Sequence, residues 1–107
     1  MIEKASVTAE IMAAHRAIEM LRPEKEQVCQ DPLAIQFLSP EWMALLKDRQ
    51  KLMALASESA QLLPGVNGAI VARVRFIDEI VMQTVEEGLA QLVILGAGYD
   101  SRAYRIK

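Results

Sequence analysis

The residues best suited to chemistry lie together near the carboxyl end, in the run LVILGAGYDSRAYRI at positions 92–106. Four apolar residues, Leu92 to Leu95, lead into Gly96-Ala97-Gly98, and Asp100, Arg102 and Arg105 follow. Glycines directly after a strand let the chain turn sharply, and they let a ligand approach backbone where a Cβ would clash. The carboxyl end of a parallel strand is also where open α/β sheets bind ligands. A tight turn holding no ligand is the plain alternative for Gly-x-Gly taken alone. A dinucleotide fingerprint requires a third small residue at the sixth position and an acid about 20 residues further on. Here the sixth position is Ser101, and such an acid would lie beyond Lys107. About 90 residues of helical pattern also precede the turn, more than a dinucleotide fold usually places before its first strand. A phosphate-cradling loop requires Gly-Lys-Ser/Thr, which the sequence lacks.

Such residues need elements to hold them. Leu92-Val93-Ile94-Leu95 does not alternate with polar residues, the pattern of a strand covered on both faces, and a single strand is expected near 91–95. Before it, Ile70, Val74, Ile77, Val81 and Val85 recur at helical spacing. Arg73, Arg75, Asp78, Glu79 and Glu86 lie mostly off that stripe, and Gly88 is placed to end the helix. Further upstream, Thr8 reads as the N-cap of a helix carrying Ile11, Ala14, Ile18 and Leu21, which Pro23 stops. Residues 23–30 form a polar connector. Asp31-Pro32 reads as a cap and first position for a short helix through Leu33, Ala34, Phe37 and Leu38. Ser39-Pro40 repeats that device for a longer helix through Trp42, Leu45, Leu46, Leu52 and Met53, which fades toward Leu63 before Pro64-Gly65. Helices are therefore expected near 8–22, 32–38, 40–60 and 67–87. A lone buried strand leaves its N–H and C=O groups without partners. The pattern thus describes a helical lead-in or lid, 1–66, and the start of a larger α/β sheet domain, 67–107.

Composition narrows the class. The 107 residues make one domain at most, 52% are hydrophobic and the mean hydropathy is +0.17, so apolar surface is expected to need cover. A homodimer pairing strand 92–95 edge to edge would supply it. A net charge of −2 with mixed signs gives no basic footprint for nucleic acid. The single cysteine, Cys29, excludes an internal disulfide and fits a reducing compartment. No leader-like or membrane-spanning apolar run is present, so a cytoplasmic protein is expected.

The ligand class left for the turn is S-adenosyl-L-methionine, whose amino-acid end packs over Gly-x-Gly. ILGAGYDSRAYRI indeed resembles the first motif of the leucine carboxyl methyltransferase-like family of S-adenosylmethionine-dependent O-methyltransferases, roughly LGAG-x-D-S/T-R-x-x-R-L. VARVRFIDEIV at 71–81 is similar to the family's helix before the first strand. AAHRAIEM and QDPLAIQFL are similar to its lead-in. The resemblance implies a class I, Rossmann-like methyltransferase sheet and methyl transfer to a carboxylate or hydroxyl oxygen of a small-molecule or peptide substrate. It also implies that Arg73 holds the carboxylate of the cofactor's methionine end, that Gly96, Ala97 and Gly98 form the backbone floor beneath it, and that Arg16 lines the same pocket. One departure is Ile94, where many methyltransferases carry an acid that steadies the cofactor amine. No residue is expected to be catalytic in the stricter sense. Plain readings accompany these: Arg73 as a solvated helix-face cation, Asp100 as the cap of the turn SRAYRI, Arg102 and Arg105 as surface charge, His15 as a surface side chain, and the six methionines as core filler. Two functions follow. One is the amino-terminal part of such an enzyme, binding the cofactor feebly by itself. The other is a truncated, catalytically inactive helical binding or oligomerisation module.

Overall fold

The computed structural model describes residues 7–95 and 98–106. Among the described residues five α-helices follow one another: α1 (Val7–Glu19), α2 (Pro40–Lys47), α3 (Arg49–Leu62), α4 (Val66–Glu86) and the short α5 (Arg102–Arg105). Two 3₁₀ turns, Glu24–Glu26 and Ala34–Phe37, lie in the connection between α1 and α2. α1 packs on the second of these turns and on α4, and α3 packs on α2 and α4.

The face α1 buries is made of alanine. Ala13, Ala14 and Ala17 are buried, Ile18 is half-buried, and Ile11 and Leu21 are exposed. Small side chains let neighbouring backbone approach closely, so the apolar stripe expected from the larger residues is only partly used. α1 begins at Val7, one residue before the Thr8 expected to precede it. At the other end the N–H groups of Met20, Leu21 and Arg22 bond to carbonyls three residues back, tightening the last turn ahead of Pro23 and ending the α-helix at Glu19.

The helix expected over 32–38 is a turn followed by the 3₁₀ segment Ala34–Phe37. The Asp31 carboxylate accepts the Leu33 N–H at 3.1 Å, two residues on, which is a turn and not a helix cap. Pro40 disfavours helix at Ser39, and the few residues left between are too few for α-helical nucleation. The Ser39-Pro40 device does open α2, with Ser39 Oγ accepting the Trp42 N–H at 3.4 Å. The expected 40–60 helix is two helices. Asp48 is extended, with φ −105° and ψ 93°, and its Oδ1 accepts the Lys51 N–H at 3.1 Å, capping α3.

α4 closes at Gly88, whose φ of +98° suits a residue without a Cβ. Gly88 N–H bonds to the Val85 carbonyl at 3.1 Å and Leu89 N–H to the Thr84 carbonyl at 3.0 Å, the paired bonds of a Schellman ending. Its stripe Ile70, Val74, Ile77, Val81 and Val85 is half-buried, Val71 is fully buried, and Asp78, expected off the stripe, is buried too.

The expected strand does not form. Among the described residues there is no strand at all, and 91–94 run unpaired. Leu92, Val93 and Leu95 are 45%, 67% and 89% exposed. A strand exists only through a ladder with a neighbour, and the described residues offer none. The fold described is therefore mostly α. Its buried apolar side chains among the described residues are Ala13, Ala14, Ala17, Cys29, Ala34 and Val71, joined by Glu19, Asp31, Asp78 and Ser101. No helix among the described residues is long and apolar enough to cross a membrane.

Candidate functional site

The segment after the glycine turn is held to the helices by charge more than by apolar packing. Arg102 donates from Nε to Asp78 Oδ1 at 2.7 Å and from Nη1 to Asp100 Oδ2 at 2.6 Å. Asp100 Oδ1 also accepts the Arg102 N–H at 2.9 Å, so Asp100 does steady the head of α5. Arg105 reaches both oxygens of Asp78 at 3.2 and 3.3 Å and donates from Nε to Ser101 Oγ at 2.6 Å. Ser101 in turn donates to Asp31 Oδ2 at 2.7 Å. Arg16 closes the group from α1: its Nη2 donates to the Tyr99 carbonyl at 2.6 Å and its Nε lies 3.1 Å from Asp31 Oδ2. That last contact is an ion pair without hydrogen-bond geometry, which leaves Arg16 Nε a buried donor with no acceptor aligned to it. Burial lowers the Arg16 pKa, and the neighbouring Asp31 opposes the shift.

Three arginines thus meet three aspartates from four places in the chain: α1, the connector before the second 3₁₀ turn, α4 and the turn entering α5. The side chains of Arg102 and Arg105 are only 13% exposed, so the expectation of surface charge is corrected. Asp78, placed off the apolar stripe of its helix, turns its carboxylate to these two guanidinium groups. The cost of desolvating such charges offsets much of their attraction, so the network fixes position more than it adds stability. Its sequence trace is the Arg102/Arg105 spacing of three, which places both side chains on one side of a helical turn. Nothing local links either arginine to Asp31 or Asp78.

Between α1, α4 and the turn lies a cavity of about 440 Å³. Met12 and Arg16 line it from α1, Ile70, Arg73, Val74 and Ile77 from α4, and Ile94, Leu95, Gly98 and Asp100 from the connecting chain. Arg16, Arg73 and Gly98 therefore share one wall system, whereas Gly96 and Ala97 lie outside the described residues. Gly98 has φ +51°, a left-handed conformation. Tyr99 stacks on Phe37 with ring centroids 4.9 Å apart, anchoring the turn to the 3₁₀ segment. Arg73 is exposed and has no ion-pair partner among the described residues, unlike Arg16 and Arg102 on the same walls. A cation without an internal counter-ion, set beside Ile70, Val74 and Ile77, suits the carboxylate end of a ligand whose remainder is less polar. Ile94 is half-buried and gives this cavity no carboxylate for an amine.

Two other candidate residues fall elsewhere. His15 is half-buried and not simply solvated: its Nδ1 donates to Asn67 Oδ1 at 2.7 Å. Cys29 is buried, and burial, reinforced by the Glu19, Asp78 and Asp31 carboxylates, pushes its thiol up to about 11. No group of metal-ligating side chains occurs among the described residues.

Comparison with known proteins agrees with the motifs. The family described as leucine carboxyl methyltransferase matches residues 9–107. A relative in Mycolicibacterium smegmatis is 33% identical over 92% of this chain and 33% of its own length. One in Rhodococcus jostii is 32% identical over 98% of this chain and 33% of its own, and one in Mycobacteroides abscessus 34% identical over 92% and 33%. All three carry the name S-adenosyl-L-methionine-dependent methyltransferase. The chain spans about a third of the length of these relatives. No solved structure matches it.

Proposed function

The chain belongs to the leucine carboxyl methyltransferase family, and from that premise we propose that it forms the part of an S-adenosyl-L-methionine-dependent O-methyltransferase that receives the amino-acid end of the cofactor. The observation that carries this reading is the cavity lined by Arg73, free of any ion-pair partner among the described residues, together with Arg16 and the left-handed Gly98. Arg73 would pair its planar guanidinium with the ligand carboxylate, two donors to two oxygens, which an ammonium cannot match. Gly98 supplies bare backbone beneath the ligand, continuing through Gly96 and Ala97 as the family resemblance implies. Arg16 holds that floor, since it bonds the Tyr99 carbonyl while pairing with Asp31. With isoleucine at position 94, the ligand amine takes backbone carbonyls in place of an acid.

When bound, the cofactor supplies an electrophilic methyl on sulfonium, transferable to an oxygen of a small-molecule or peptide substrate. A carboxylate acceptor is already ionised near neutral pH, so alignment contributes more than acid–base chemistry. The residues proposed here therefore bind and orient, and none is assigned a proton. In this reading 1–66 is a helical lead-in and 67–107 the start of the cofactor domain of a cytoplasmic enzyme. Two copies associate through the run 92–95, in which Leu92, Val93 and Leu95 are exposed. Titrating S-adenosyl-L-methionine into the chain while recording backbone amide shifts tests the cofactor site. Weak, saturable shifts are expected at Arg73, Ile77 and Gly98, and they should vanish in Arg73→Ala. Shifts centred elsewhere, or unaltered by that substitution, would remove the site.

A further inference from the structure

α1 has a second working face. At about 100° per residue, Met12 and Arg16 point to the cavity described above, while Ile11, Ala14, His15 and Ile18 form a neighbouring face centred about 130° round the helix. There they help to enclose a separate cavity of about 380 Å³ with α2, α3 and the head of α4. This volume falls within the roughly 300–1,000 Å³ of small-molecule sites. Its walls are mostly apolar. α3 has no fully buried residue, so the side of α3 carrying Leu52 and Leu55 is not used up by packing within the described residues.

The main polar feature on these walls is the His15–Asn67 pair, in which residues 52 positions apart meet at 2.7 Å. Asn67 Oδ1 can only accept, so His15 Nδ1 carries the proton in this bond. In a neutral imidazole that leaves Nε2 as an acceptor, its direction set by the amide that holds the ring. A ring oriented in this way beside apolar walls is matched by a donor on an otherwise apolar ligand, as in small-molecule pockets where a few placed polar groups fix orientation.

We propose that this cavity binds a small, largely apolar molecule carrying one hydroxyl. Its ring or chain lies against Ile18, Trp42, Leu55 and Leu63, and its O–H donates to His15 Nε2. Trp42 is half-buried and gives an aromatic face on which a phenol-class ring can pack. The site goes beyond the cofactor reading and does not depend on it, because the two cavities, though both bordered by α1 and α4, have no lining residue in common.

Titrations of 1-naphthol and 1-methoxynaphthalene into the whole chain test this, read by the shift of the Trp42 indole N–H, the one tryptophan of the sequence. Naphthol should saturate and bind about tenfold more tightly than its methyl ether, the size of one net hydrogen bond. His15→Leu should bring naphthol down to the affinity of the ether and leave the ether unchanged. Ala56→Trp, which fills the cavity, should abolish both. Equal affinity of the two probes for the unaltered protein would overturn the hydroxyl assignment without recourse to any variant. Absence of saturation, or binding that persists in a folded Ala56→Trp protein, would overturn the site. S-adenosyl-L-methionine affinity is measured separately, so failure of the cofactor site leaves these outcomes readable.

Discussion

Arginine takes two opposite parts in this protein, and the difference lies in what each guanidinium already touches. Arg102 and Arg105 are spent on Asp78, Asp100 and Ser101, and Arg16 on Asp31 and the Tyr99 carbonyl. Arg73 has no such commitment among the described residues and borders a cavity. On the cofactor reading proposed above, Arg73→Ala should weaken S-adenosyl-L-methionine binding by ~1.5–3 kcal/mol, the range for a hydrogen bond to a charged group. The same change should move folding stability by no more than about 0.5 kcal/mol, as for other exposed positions. Calorimetric titration beside a urea melt separates the two effects, and unchanged affinity would return Arg73 to the solvated helix face. Cys29 makes a prediction of the opposite kind, about stability alone. Its thiol is raised to about 11 by burial, against 9.0 for a free thiol. The neutral form is thus the one the fold accepts, and this contribution is complete below pH 9. Between pH 9 and 11 the unfolded chain has lost the proton while the folded chain keeps it, so stability falls as pH rises. Urea melts at pH 8 and pH 10.5 should show a steeper alkaline loss for the natural protein than for Cys29→Ala. Parallel losses in the two proteins would show that the thiol ionises freely in the folded state.

At the scale of elements, the polar network stands where sheet packing would otherwise hold the turn. Asp31 sits at its centre, fully buried, between Arg16, Ser101 and Arg105. Asp31→Ala should destabilise the chain by on the order of 3 kcal/mol, because two guanidinium groups lose a buried counter-charge and Ser101 loses its acceptor. Hydrogen exchange should locate the loss in 98–106 before α3. Loss of protection spread evenly over all helices would mean that Asp31 supports the fold in general and not the turn. None of this is legible from periodicity, since Asp31, Asp78 and Asp100 are distant in sequence and meet only after folding. What can be read is local. Ser39-Pro40 and Gly88 act through bonds to residues one to four positions away, and both behave as their types suggest. The break at Asp48 is hidden because apolar residues continue through it, and only the side chain's bond to Lys51 N–H reveals a new helix start. The strand pattern at 92–95 is real as a pattern, but a ladder needs a second strand. The cavity residues divide in the same way. Arg73 and Gly98 belong to recognisable motifs, whereas the pairing of His15 with Asn67 leaves no mark in the sequence.

For the whole molecule the governing fact is the imbalance between a small core and a large apolar surface. The radius of gyration is 15.0 Å, against about 13 Å for a compact chain of this length, and the extents of 45 × 43 × 23 Å describe a flat body. Leu62, Phe76, Val93 and Leu95 are 81%, 64%, 67% and 89% exposed, while the buried apolar side chains are mostly alanine. Apolar patches of that kind draw a partner surface. Leu92–Leu95 adds unpaired backbone groups to its side chains, so two copies meeting there gain hydrogen bonds as well as cover, each bond worth about 0.5–1.5 kcal/mol net. The purified chain should therefore scatter light as a dimer at micromolar concentration. Val93→Lys should return it to monomer with little loss of helix content, because that side chain packs on nothing in its own chain to any great extent. Phe76→Lys, on the exposed side of α4, serves as the comparison. If it dissolves the dimer and Val93→Lys does not, the interface lies along α4 and the strand run remains solvated. A monomer at micromolar concentration with 92–95 protected from exchange would show instead that the chain covers this run by itself.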